Sequence, residues 1–153
     1  IVAQIVKRFQ KQDAIVIYVP DHGEECYEEN RGFICRNHSA EIDWPLAHYE
    51  FEIPFWIYCS PKYIRNHRDI YRQIRKAKDK RFMTDALPHL LLYLAGIETP
   101  TYKEEYNILS PKYDEMRPRI LKNSADYDKL RDAHLEKIKK EESKKVKKKE
   151  RRN

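Results

Sequence analysis

The sequence predicts an α/β protein, a layered α/β/α sandwich with a mainly parallel sheet. Three observations predict it. Two short runs, Ala14-Ile15-Val16-Ile17-Tyr18-Val19 and Ile53-Pro54-Phe55-Trp56-Ile57-Tyr58-Cys59, are β-branched or aromatic at almost every position. They are too short for helices and apolar on both faces, which is the pattern of a strand buried in a parallel sheet. Helical patterns flank both runs, as layered folds require. Finally, 153 residues that are 41% hydrophobic, with 11 Tyr, 5 Phe and 2 Trp, can fill one core although 37% are charged.

Each element has a local cause. Ile1, Val2, Ile5, Val6 and Phe9 recur at helical spacing, so residues 1–11 read as a helix packed on one face, ended by Lys11-Gln12-Asp13. Pro20 stops the first strand. Residues 21–50 are rich in Glu, Asn and Gly without periodicity and read as a long loop, a length that is usually either functional or disordered. The second strand has Pro54 at its entrance, where a missing N–H is tolerated. Ser60 and Pro61 then open a helix reaching Lys80, whose apolar positions Ile64, Ile70, Tyr71 and Ile74 form one stripe among basic residues. Asp85 is placed to cap the next helix, 85–95, with Pro88 in its first turn. Leu87, Leu90, Leu91, Leu92 and Leu94 make that helix a core element, and Gly96 supplies a left-handed cap. Residues 97–128 read as an extended strap. Strands 14–19 and 53–59 are expected to be neighbouring parallel strands.

The formal charge of +6 does not describe the whole chain. Between Lys137 and Arg152 there are ten Lys or Arg against Glu141, Glu142 and Glu150, an excess of seven that leaves the rest at −1. The basic signal therefore belongs to a frayed helical tail, residues 131–153, and the domain-wide footprint of a nucleic-acid-binding fold is missing. No nucleic-acid partner is expected. A binding module that uses this tail on nucleic acid or membrane is the competing class, and it predicts steep salt dependence and indifference to chelators. No apolar run reaches the roughly 20 residues that span a bilayer. The chain opens at Ile1, without Met, directly in an amphipathic pattern, so further sequence is expected upstream. Three cysteines, Cys26, Cys35 and Cys59, make neither a disulfide framework nor a zinc ribbon. If the compartment is oxidising, Cys26 and Cys35 are placed to close one short loop; three unpaired thiols are the alternative.

Asp21-His22-Gly23-Glu24-Glu25 follows directly on the first strand. In open α/β sheets ligands gather at the carboxyl ends of strands, and Asp and neutral His are both zinc ligands. A solvated turn with a capping Asp is the alternative. Glu24 and Glu25 are candidate partners that orient the His22 ring.

Val19-Pro20-Asp21-His22-Gly23-Glu24-Glu25, followed after a loop by Tyr49-Glu50-Phe51-Glu52-Ile53-Pro54-Phe55-Trp56-Ile57-Tyr58-Cys59-Ser60, resembles the closing part of the sulfatase and alkaline phosphatase superfamily. Within it the motifs are similar to the membrane-bound phosphoethanolamine transferases that modify lipopolysaccharide. Asp85-Ala86-Leu87-Pro88-His89-Leu90-Leu91 and Gly96-Ile97 resemble that family's last core helix. Residues 1–130 are thus expected to be the C-terminal part of a sulfatase-like, alkaline-phosphatase-like catalytic domain.

The resemblance implies zinc, with manganese or another divalent metal as alternatives, and a bacterial inner-membrane enzyme whose catalytic domain lies in the periplasm. It implies that an upstream threonine attacks phosphatidylethanolamine, and that a lipid-linked sugar, lipid A or lipopolysaccharide core, then takes the phosphoethanolamine. No catalytic nucleophile is expected in this chain, which alone should be inactive; Asp21 and His22 would be metal ligands. A sulfatase or phosphoglycerol transferase shares the same ligand pair. The chain departs from the family at Pro20, where Ser is usual, and at Glu52, where many relatives carry a His near the transferred phosphate. A second family His, on the loop after the ligand pair, is matched to His38, with His48 as the other candidate for substrate phosphate. His67, His89 and His134 are read as structural or solvent-facing.

Overall fold

The computed structural model describes residues 1–35 and 41–150, which form two compact units. The first comprises residues 1–19 and 54–117, the second residues 20–53 and 118 onward.

In the first unit, α1 (Val2–Phe9) leads into β1 (Ile15–Tyr18). The later strand of this unit, β4 (Trp56–Cys59), pairs with β1 antiparallel, in the register Ile15↔Cys59 to Tyr18↔Trp56. This corrects the expected parallel sheet. An apolar run on both faces reports that a strand is covered on both sides, and says nothing of the direction of its partner. The other described sheets are antiparallel pairs as well. Tyr18 and Trp56 stack across the β1–β4 pair with ring centroids 5.3 Å apart, adding aromatic contact to the ladder.

Ser60 ends β4 and starts the next helix. Its hydroxyl accepts from Tyr63 N at 3.0 Å and donates to Gln12 O at 2.6 Å, joining the helix start to the residues before β1. The expected helix 62–80 is two helices, α3 (Pro61–Asn66) and α4 (Arg68–Ala77). They break at His67, whose backbone leaves helical geometry at φ −126° and ψ 51°. Asp13 engages both sides of the break, accepting from Asn66 Nδ2 at 2.7 Å and lying 3.4 Å from His67 Nε2. Thr84–Ala86 form one 3-10 turn before α5 (Leu87–Ala95), which ends on Gly96 at φ 65°, as expected for a left-handed cap. Asp85 does not cap α5; it pairs with Arg117. Leu90 is fully buried with Ala77, Ile108 and Leu109, and Phe55, Ile57, Ile70 and Ile74 pack around them. Burying one such leucine is worth about 1.5–3 kcal/mol.

In the second unit the expected loop 21–50 contains regular structure. β2 (Glu25–Cys26) pairs with β3 (Phe33–Cys35), and Cys26 and Cys35 are unbridged thiols. Next comes α2 (Trp44–Phe51), capped by Asp43, whose side chain accepts from Leu46 N at 3.1 Å while Pro45 falls in the first turn. β5 (Ile120–Leu121) and β6 (Ala125–Asp126) form a hairpin with Lys122 and Asn123 at positive φ. α6 (Tyr127–Glu150) then packs Tyr127 and Leu130 against Leu46, Ala47 and Leu121. From Leu135 to Lys145 its side chains are all exposed. No helix among the described residues is long and apolar enough to cross a membrane.

Candidate metal centre

The side chains of Asp21 and His22 approach each other. His22 Nδ1 lies 2.7 Å from the carbonyl oxygen of Gly23, and a carbonyl only accepts, so Nδ1 carries the proton. A neutral ring then presents Nε2 as its acceptor atom, and Nε2 lies 3.3 Å from Asp21 Oδ2. Two acceptors at this distance need a proton or a metal cation to hold them together. Two ligands of a tetrahedral zinc, each about 2.0–2.1 Å from the metal, stand about 3.3 Å apart. The donor chemistry and the separation therefore fit zinc. The other oxygen, Asp21 Oδ1, accepts from His22 N at 3.1 Å, which turns the carboxylate toward the ring.

Gly23 holds the pair in place. Its N donates to Glu50 O at 2.8 Å, and a β-carbon there would stand 2.1 Å from Tyr49 O. The motif is thus laid against the carboxyl-terminal end of α2 at a distance that only glycine allows.

Glu24 and Glu25 each approach a neighbouring side chain. Glu24 Oε2 lies 3.9 Å from the Cys26 thiol. Glu25 is buried completely, with Arg31 Nε 3.1 Å from Oε1, and Arg31 Nη1 also reaches Asp43 Oδ2 at 2.7 Å. The Nε–H misses the line to Glu25, so charge rather than a linear hydrogen bond joins them. Burial pushes the Glu25 carboxyl above its ordinary value, and the Arg31 charge only partly offsets this. Glu25 thereby ties β2 to the cap of α2.

His38 lies outside the described residues. His48 sits in the last turn of α2 with Nδ1 3.0 Å from Glu52 Oε1, and that carboxylate also accepts from Tyr127 OH. Burial draws the Glu52 carboxyl up, but the hydrogen bond from Tyr127 and the neighbouring His48 and Arg119 together leave the group below its ordinary value. Tyr127 is pushed up to about 12, by burial first and then by the carboxylate. Sequence reasoning missed Tyr127, which no local pattern marks. Asp43 and Pro45, a cap and a first-turn proline, were the available signal for α2. Of the expected site residues, the structure brings Asp21 and His22 together and sets His48 in the helix whose end holds Gly23. Among the described residues no group of three His, Cys, Asp or Glu is placed to hold a metal.

No family model and no curated protein matches the chain. Two crystal structures do. One is the C-terminal periplasmic domain of EcEptC from Escherichia coli, and the other is the same domain in complex with Zn. Each aligns with TM-score 0.65 and 27% identity over 84% of this chain. The chain spans 36% of the length of those neighbours. The zinc belongs to the neighbour. Fold and sequence together bear out the resemblance carried by the Asp21-His22 and Ile53 to Ser60 motifs: the chain is similar to the C-terminal periplasmic domain of a phosphoethanolamine transferase.

Proposed function

We propose that the chain is the C-terminal part of a periplasmic phosphoethanolamine transferase anchored in the bacterial inner membrane, with Asp21 and His22 as two protein ligands of its metal. The observation that carries this reading is the 3.3 Å approach of Asp21 Oδ2 to His22 Nε2, with Nδ1 tied down by Gly23 O. Zinc bound there, or manganese in its place, would lower the pKa of an attacking hydroxyl and screen the phosphoryl oxygens. The residues of this chain orient and bind. Gly23 O keeps His22 in the tautomer that ligates through Nε2, a common role for a ligand's outer partner. His48 or His38 is assigned to the phosphate of the substrate. The nucleophile is a threonine outside this chain, the donor phosphatidylethanolamine, and the acceptor a lipid-linked sugar of lipid A or the lipopolysaccharide core.

Two protein ligands leave zinc mostly to water, whereas zinc sites take three or four. The isolated chain should therefore bind zinc weakly and release no diacylglycerol from phosphatidylethanolamine. In the full-length protein, Asp21→Ala and His22→Ala should each abolish that release while expression is retained. Wild-type turnover in either variant would remove the metal assignment, and turnover by the isolated chain would show that it carries a nucleophile.

A further inference from the structure

The first turns of α6 are fixed, and the rest of the helix is exposed all round. Asp126 Oδ1 accepts from Asp128 N and Lys129 N, at 3.0 and 3.2 Å, and so caps the helix. Tyr127 and Leu130 pack against Leu46 and Ala47 of α2, and the His134 ring stacks on Trp44 with centroids 5.3 Å apart. From Leu135 to Lys145 every side chain is exposed, and so is Lys147. The charge of this stretch is dense and of one sign: residues 137–152 hold ten Lys or Arg against three Glu. Lys140 lies 3.6 Å from Glu136, but the two side chains are 74% and 70% exposed, so solvent screens the pair. Lys140 and Lys144 stand four residues apart on one face of the helix and repel each other. Leu135 and Ile138, three residues apart, share another face and are 45% and 38% exposed. Glu142 takes the next place on that face, so the aliphatic strip is one turn long.

We propose that α6 beyond His134 is a docking surface for an anionic lipid bilayer, whose headgroups meet the lysines while Leu135 and Ile138 enter the headgroup region. The choice of a lipid surface rests in part on the function proposed above, whose donor is a membrane lipid. The residues themselves point the same way. Single strands of nucleic acid are gripped by aromatic rings that stack on bases, and phosphate groups are recognised by arginine forks. Between His134 and Arg151 there is neither an aromatic residue nor an arginine. Lysine is a compact charge on a flexible stem, which suits a fluid layer of headgroups that offers no fixed geometry. Two exposed aliphatic side chains gain burial at the boundary of headgroups and acyl chains. Because the strip is one turn long and Glu142 follows it, the helix adsorbs on the surface rather than inserting. Each lysine close to an anionic surface tightens binding about fivefold. The lipid charge also relieves the repulsion between Lys140 and Lys144. Docked in this way, the tail holds the chain at the membrane that carries the proposed donor.

The test is flotation of the whole chain with lipid vesicles. Vesicles of equal parts phosphatidylcholine and phosphatidylglycerol should bind it at least about tenfold more tightly than phosphatidylcholine alone. Added salt should weaken that binding, since the lysines are exposed and screened. Lys139→Gln, Lys140→Gln, Lys144→Gln and Lys145→Gln combined should weaken it by about tenfold or more. Leu135→Ser with Ile138→Ser should cost several-fold and leave the salt dependence in place. Wild-type binding that is absent, or that ignores phosphatidylglycerol or salt, overturns the proposal, and so does a folded quadruple variant of wild-type affinity. If that variant does not fold, the lipid and salt dependence of the wild type decides. A chain that prefers duplex DNA or single-stranded RNA to the anionic vesicles, at equal concentrations of phosphate, also overturns it and assigns the tail to nucleic acid. A chain that binds no zinc yet binds anionic vesicles defeats the metal reading and leaves the docking intact; zinc binding without vesicle binding does the reverse.

Discussion

The carbonyl oxygen of Tyr49 lies 2.1 Å from the point where a β-carbon on Gly23 would stand, so the residue after His22 has room for a hydrogen and nothing larger. The obstacle is backbone at the end of a helix, which cannot turn aside as a side chain would. Gly23→Ala should therefore push the motif off α2 and break the 2.8 Å bond from Gly23 N to Glu50 O. Overpacking of this kind costs about 1–3 kcal/mol. The His22 ring is held by Gly23 O, so zinc affinity should fall together with stability. Urea denaturation and a zinc titration on the same sample check both; an alanine variant with wild-type values would mean that the loop moves at no cost.

Ser60→Ala should destabilise the chain by about 1–2 kcal/mol, at the upper end of the usual loss of a helix cap. The hydroxyl is fully buried and serves Tyr63 N, Ala14 N and Gln12 O. Its removal leaves the Gln12 carbonyl and the first turn of α3 without their partner, and no water-exposed route compensates them. Thermal unfolding measures the loss. A change below about 0.3 kcal/mol, smaller than even weak caps give, would show that the start of α3 is held by Pro61 alone.

Asp85 and Arg117 predict an acid limb in the stability curve. Both guanidinium nitrogens reach the carboxylate, at 2.6 and 2.7 Å, and hold Asp85 below its ordinary value of 3.8, an effect that burial only partly opposes. A depressed carboxyl stabilises the fold above its unfolded pKa, and this contribution fades as pH falls through 3.8 toward the folded value. Half of the Asp85 side chain is exposed, so solvent screening limits the pair to about 0.5–1 kcal/mol. Asp85→Asn should lose that amount at pH 7 and show a flatter decline below about pH 4. Urea midpoints across pH 3–7 check it; an unchanged acid limb would assign the decline to other carboxylates.

The sequence by itself determined the elements whose cause is local: the stripe of α1, the apolar runs of β1 and β4, the leucines of α5 and the glycine that ends it. It also placed Asp21 and His22 side by side, because adjacent residues need no fold to be neighbours. What only the tertiary structure decided is the direction in which β1 and β4 pair, since burial on both faces is the same for either direction. The partners of charged groups were equally out of reach. Asp85 could cap its own helix or find Arg117, and 32 residues of chain separate those choices. The Glu52 carboxylate meets Tyr127 across 75 residues, a contact that exists only once α6 has packed on α2. Local periodicity records how a segment is covered; which distant group meets a carboxylate is set by the path of the chain, and there the packing of the two helices chose Tyr127.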